Sequence, residues 1–257
     1  MPLSERDYPG GYSNRFPQGV KWLIVANTAI WLVSILLELF GFSSVLNPFR
    51  LVPIQVATSF YIWQPVTYLF LHAVETPWHL LFNMLMLWMF GADVERAWGT
   101  IKFLQFYLVC GVGAGLCVVL ANLLFGNPYL ATIGASGAIF GLLLAFGMLF
   151  PDRSVLFLML FPLKAKYMVM IMGALEMYNV MHFIGGPVSN VAHLGGMAIG
   201  YFYIRKQRRK SPHSRPRGNT SFWGNVKGQY EEWRLQRARR KFQVYLKKRQ
   251  DQDPYVH

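Results

Sequence analysis

Apolar residues run along this chain in long stretches, separated by breaks that are basic or marked by glycine and proline. Six stretches have about the length that crosses a bilayer as a helix, and they lie at 20–40, 78–98, 102–125, 134–151, 166–184 and 188–205. Between Phe103 and Pro151 there is no Lys, Arg, Asp or Glu. A helix in water needs a charged face, so this stretch belongs in lipid or inside protein. The loop 43–76 carries Phe49, Phe60, Tyr61, Trp63 and Tyr68 with few charges, a composition suited to the membrane interface. The apolar stretch 154–163, interrupted by Pro162, is expected either to extend the fourth span or to lie in that interface.

Composition supports the membrane reading. The 257 residues are 54% hydrophobic and 14% charged, against about 25% charged in soluble domains. The net charge of +13 is uneven, because sixteen of the 25 Lys and Arg lie after Ile204. With the N-terminus inside, the inner segments carry Arg6, Arg15 and Lys21, then Arg96 and Lys102, then Arg153, Lys164 and Lys166, then the tail. The outer segments carry only Arg50, so both ends are expected in the cytoplasm. The expected fold is an all-α polytopic membrane protein, a six-transmembrane-helix bundle with a cytoplasmic basic helical tail. Its parts are an N-terminal segment 1–19, a six-span domain 20–205, a linker 206–226 and a tail 227–257. The N-terminus has no signal-peptide core, and the first apolar segment, from Val20, is expected to stay. Cys110 and Cys117 lie two turns apart on one helical face, too far to bond each other, and read as packing residues.

Polar residues inside such spans are costly and raise a functional question. Ser136 sits in Gly134-Ala135-Ser136-Gly137 at the start of the fourth span, and His193 in Ala192-His193-Leu194-Gly195-Gly196 on the sixth. The second span opens with Thr76-Pro77, a cap and first-turn proline, and bears His79 and Asn83 in its first turns. At the rise of an α-helix all four fall within roughly 10 Å of the outer boundary. A serine hydroxyl needs a base, and a neutral imidazole is suited to that task. Glu38 and Glu75 lie at the outer surface and Glu176 deep in the fifth span, so the arrangement reads as a Ser–His dyad without a third carboxylate. His79 and Asn83, at i and i+4, share a face and could donate hydrogen bonds to a developing oxyanion, with the Ser136 N–H as a third donor.

Each residue alone admits a plainer reading. Ser136 eases helix packing, His193 makes an interhelical hydrogen bond, and His79 with Asn83 bonds neighbouring spans. No His or Cys cluster has metal-ligand spacing, and neither metal nor cofactor is expected. Gly137 and Gly141 on the fourth span, and Gly196 and Gly200 on the sixth, form small-xxx-small stripes that let backbones approach closely. Two other function classes remain: a catalytically silent binder of membrane spans, and a transporter or channel. The transporter reading requires charged residues along a pore, and the outer half of the bundle has almost none.

Four segments, taken in order, resemble the rhomboid intramembrane serine proteases across residues 20–205. They are His79-Leu80-Leu81-Phe82-Asn83, Glu95-Arg96-Ala97-Trp98-Gly99, Gly134-Ala135-Ser136-Gly137, and Ala192-His193 with Gly196 and Gly200. The resemblance implies Ser136 as nucleophile, His193 as general base, and His79, Asn83 and the Ser136 N–H as the oxyanion hole. It implies a bracing role for Glu95, a partly immersed first loop at 43–76, and the fifth span as a lateral gate. The implied partners are transmembrane protein substrates, cut near the outer face of a cell membrane. Family members often have Trp-Arg in the first loop, where this chain has Trp63-Gln64, and a tyrosine four after the serine, where it has Phe140. Pseudoproteases of this fold lack the serine or the histidine, and this chain keeps both.

The tail is a separate matter. Residues 211–226 are rich in Ser, Pro, Gly and Asn, as linkers are. From Tyr230 to Arg249 an apolar stripe of Leu235, Ala238, Phe242 and Tyr245 is flanked by Lys and Arg. A basic amphipathic helix of this kind is suited to an anionic lipid surface. Nucleic acid is not an expected partner, because no base-reading motif accompanies the charge.

Overall fold

The computed structural model describes residues 16–157, 161–182 and 189–210. The N-terminal residues 1–15 and the tail, including the amphipathic helix read at 230–249, lie outside the described residues. The chain divides into two compact units, Met1–Gln207 and Arg208–His257.

The first unit is mostly helical. Helix α1 spans Gln18–Leu39. The loop after it holds a 3₁₀ turn at Ser43–Phe49, helix α2 at Pro53–Thr58, helix α3 at Gln64–Thr67 and a second 3₁₀ turn at Tyr68–Phe70. Helix α4, Pro77–Met86, runs through a π-helical turn at Leu87–Gly91 into α5, Ala92–Trp98. Then come α6, Thr100–Leu124, and α7, Ser136–Leu149. A short hairpin of β1, Ser154–Phe157, and β2, Phe161–Lys164, precedes α8, Ala165–His182, and α9, Ser189–Lys210. α9 thus continues through residues 206–210, which the sequence reading placed in the linker.

The hairpin corrects the all-α expectation. It pairs Ser154 with Lys164 and Val155 with Leu163, so the segment does not extend the fourth span, the first of the two alternatives. β-branched and aromatic residues favour strands, and a two-stranded ribbon has only edges, so Pro162 is tolerated. The hairpin is flanked by ion pairs, Lys166 Nζ to Asp152 at 2.8 Å and Arg153 to Asp93 at 2.8 Å.

Helices α1 and α6 are each long and apolar enough to cross a membrane, and α7 is a shorter apolar helix. On α6, Phe103, Phe106, Tyr107, Cys110, Ala114 and Val118 are buried, at spacings of three and four. Its opposite face exposes Leu108, Val109, Leu116, Leu120 and Leu124. A helix apolar on both its buried and its exposed face has no side suited to water.

Two contacts position the rest. Glu95 on α5 is buried, and its carboxylate accepts the N–H groups of Gly19 and Val20 at 2.8 Å each and the Thr100 hydroxyl at 2.6 Å. It thereby satisfies orphan donors at the start of α1 with a charge of the favoured sign. The second contact is the glycine ladder. A Cβ on Gly141 would lie 3.1 Å from the Gly196 carbonyl oxygen, and one on Gly200 would lie 3.4 Å from the Gly141 Cα. α7 and α9 therefore touch through their backbones, which side chains would prevent.

Candidate active site

Ser136 is the first residue of α7, so its N–H has no acceptor within the helix. The turn before it is held by the first loop. Gly134 N–H donates to the Tyr68 carbonyl at 2.9 Å, and Thr132 and Leu51 exchange backbone bonds of 2.8 and 3.0 Å. The Tyr68 hydroxyl in turn donates to the Gly111 carbonyl of α6 at 2.7 Å. Gly134 has φ +121°, a conformation that favours glycine.

Gln64 anchors that loop from within. It is fully buried, its Oε1 accepts the Val52 N–H at 2.9 Å, and its Nε2 donates to Gln55 Oε1 at 2.8 Å. Trp63 Nε1 donates to the Pro48 carbonyl at 2.9 Å.

His193 lies on the second turn of α9, and its Nε2 stands 2.8 Å from Ser136 Oγ. Phe140, one turn along α7 from the serine, stacks on the imidazole with centroids 4.1 Å apart and planes within 9°. The ring therefore has a fixed plane and a fixed contact with the hydroxyl.

His79 is aimed at the same turn. Its Nδ1 accepts the Ala73 N–H at 3.3 Å. A neutral imidazole accepting at Nδ1 carries its proton on Nε2. That Nε2 faces Gly134, where a Cβ would come within 2.8 Å of it. Asn83 is buried one turn further, and its Nδ2 donates to the His79 carbonyl at 2.9 Å, which leaves its second amide hydrogen free of that bond. Thr76 is extended and makes no side-chain cap, so only the proline of the expected Thr76-Pro77 helix start acts as read.

Two residues near the site lie outside the set that sequence reasoning assigned: His72, which it does not single out, and Glu176, which it sets aside as deep in the fifth span. His72, in the loop before α4, is buried with neither ring nitrogen hydrogen-bonded, and its ring centroid is 5.1 Å from that of His79. Burial, and then the neighbouring His79, hold its pKa down to about 4. Glu176 on α8 brings its Oε1 to 3.1 Å from His193 Nδ1. The approach is off line, since neither that Nδ1 nor Glu176 Oε2 has a hydrogen-bond partner. A carboxylate thus stands beside the imidazole, where none was expected.

Comparison with known proteins agrees with the four-segment resemblance. Residues 59–210 match the rhomboid domain. The chain is 32% identical over 144 residues to Rhomboid protein 1, mitochondrial, of Saccharomyces cerevisiae, which covers 52% of this chain and 41% of the yeast protein. It is 42% identical over 81 residues to Rhomboid protease GluP of Bacillus subtilis, covering 32% of this chain and 14% of that protein. With the Bacillus subtilis protein YdcA it shares 31% identity over 154 residues, 58% of this chain and 70% of the other. The chain thus spans less than half of the yeast protein and of GluP.

Proposed function

The chain belongs to the rhomboid family, and from that premise we propose that it is an intramembrane serine endopeptidase. The observation that carries the reading is the half-buried 2.8 Å contact between Ser136 Oγ and His193 Nε2 at the start of α7. Six helical runs cross the membrane in this reading: α1, α4 with α5, α6, α7, α8 and α9. Both termini are cytoplasmic, the location is a cell membrane, and the basic tail contacts anionic lipid. The substrates are transmembrane proteins, cut near the outer face.

The chemistry follows from the contacts. His193 Nε2 takes the Ser136 proton as Oγ attacks the scissile carbonyl. The electron pair of that carbonyl moves onto its oxygen. The Ser136 N–H, His79 Nε2–H and the second Asn83 amide hydrogen are the donors for the oxyanion. The oxyanion's electron pair then re-forms the carbonyl as the carbon–nitrogen bond breaks, His193 gives its proton to the leaving amine, and water repeats the sequence on the acyl-enzyme to release Ser136. His79 suits the role because its Ala73 bond leaves the proton on Nε2.

A fluorophosphonate that reacts with activated serines tests the assignment. The wild-type protein in detergent is expected to take up the label at Ser136, and Ser136→Ala to take up none. Equal labelling of both would place the nucleophile elsewhere.

A further inference from the structure

Glu176 is the one Asp or Glu within α8. It stands about 9 Å from the helix's outer end, and His193 about 6 Å from the outer end of α9, so the two share a depth. Their side chains are 14% and 15% exposed. A carboxylate at that depth is costly unless a polar partner faces it. The partner is the imidazole edge opposite Ser136, with Nδ1 3.1 Å from Glu176 Oε1.

We propose that Glu176 is a positioning residue that turns the dyad into a Ser136–His193–Glu176 triad. This rests on the reading of Ser136 and His193 as nucleophile and base. The need is one of tautomer. His193 can accept the serine proton only if Nε2 is bare, which puts the ring proton on Nδ1. An ionised carboxylate beside Nδ1 accepts that proton's hydrogen bond and holds the tautomer. During attack the Ser136 proton moves to Nε2, and the ring becomes cationic between the hydroxyl position and the carboxylate. The proton passes only between Ser136 and His193. Phe140 fixes the ring plane but offers no acceptor, so it does not select the tautomer. His193 Nδ1 and Glu176 Oε2 are both buried without a hydrogen-bond partner, so a carboxylate in line with Nδ1 relieves an unmet donor beside an unmet acceptor.

The surrounding titratable groups leave the carboxylate to His193. His79 and His72 lie by the Gly134 turn, and the Tyr68 hydroxyl is committed to Gly111. Cys117 of α6 meets α9 at Gly195. Lys166 and Arg205 stand at the other ends of α8 and α9, about 15 and 18 Å along the helix axes.

The experiment compares wild type, Glu176→Gln, Glu176→Leu and Ser136→Ala by two readouts. The first is kcat and KM on a transmembrane substrate. The second is the His193 tautomer, from ¹⁵N-histidine NMR in detergent with His193→Gln to assign the signal. The expected result is that Glu176→Gln and Glu176→Leu lower kcat by about 10–10³-fold, KM staying within a factor of three. Their His193 signal moves from the Nδ1–H to the Nε2–H form. In Ser136→Ala, where Glu176 is intact, the Nδ1–H form is kept although activity is lost. Wild-type kcat in both Glu176 variants, or an Nε2–H tautomer in the wild type, overturns the proposal. If Glu176→Leu fails to fold, Glu176→Gln and the tautomer in Ser136→Ala still decide it. Loss of activity in Ser136→Ala with none in the Glu176 variants leaves the dyad standing and removes the triad. A fully active Ser136→Ala removes the dyad itself.

Discussion

Gly196 on α9 and Gly137 on α7 meet backbone to backbone. A Cβ placed on Gly196 would lie 3.3 Å from the Gly137 Cα and would overlap the Gly137 carbonyl oxygen. The pair sits one residue past the serine and three past the histidine, so the spacing of the two helices sets the distance between Ser136 and His193. Gly196→Ala is expected to push α9 outward and cost about 1–3 kcal/mol through overpacking. Activity should fall more than stability, by at least about tenfold, since a 1 Å displacement of reacting groups is enough to cost that much. Thermal melting and substrate cleavage in the same detergent check both halves. Wild-type activity in Gly196→Ala would show that the helices can separate without moving the dyad.

The dyad itself makes a non-additive prediction. Ser136→Ala and His193→Ala should each abolish cleavage, and the double variant should be no worse than either, because the two act as one unit. The folded state should survive in each. Cleavage assays beside melting curves are the check, and appreciable activity in a well-folded Ser136→Ala would contradict the mechanism.

His79 and Asn83 should behave differently, as donors to an oxyanion and not as proton carriers. Asn83→Ala and His79→Ala are each expected to lower kcat by roughly 10–10³-fold, with residual activity and little change in KM. Wild-type rates in both would mean that these two serve packing only.

Much of this arrangement is legible in the chain. The apolar runs and their short breaks mark out helices close to those observed, because a helix facing lipid needs no polar stripe. The paired glycines of α7 and α9 announce a close approach, which brings a short serine side chain to an imidazole. Glu176 shows where the reading falls short. Its place in the apolar run puts it deep in the fifth span, yet α8 ends at His182 and His193 itself lies a turn inside α9, which brings the two level. The hairpin at 154–164 was hidden because a short apolar run has no periodicity that separates strand from helix. Gln64 gave no signal either, since its three loop contacts depend on a fold of the first loop that no periodicity describes.

Glu95 offers a test of stability separate from chemistry. Its carboxylate accepts two α1 amides and the Thr100 hydroxyl, all far from Ser136 in the chain. Glu95→Gln keeps one acceptor oxygen and loses the charge, and Glu95→Ala leaves buried donors unpaired. Losses of about 1–2 kcal/mol and about 2–4 kcal/mol are expected in that order. Fluorophosphonate labelling at a temperature where both variants are folded should proceed at the wild-type rate. A labelling defect greater than the melting shift would place Glu95 in the site's support as well.

His72 makes the fold sensitive to acid. Its folded-state pKa of about 4 lies below the ordinary histidine value of 6.5, chiefly through burial and next through His79. Above pH 6.5 the ring is neutral whether the protein is folded or not, so it contributes no pH dependence there. As the pH falls from 6.5 to 4 the unfolded chain binds a proton that the folded chain refuses, and stability declines across that window. Below pH 4 both states are protonated and the decline from this group stops. A shift of this size corresponds to a loss on the order of 3 kcal/mol. The variant His72→Gln removes the titration and should flatten the melting temperature against pH between 6.5 and 4, with a smaller change at pH 7.5. Thermal melting in detergent at a series of pH values is the measurement. A profile as steep in His72→Gln as in the wild type would assign the acid sensitivity to other groups.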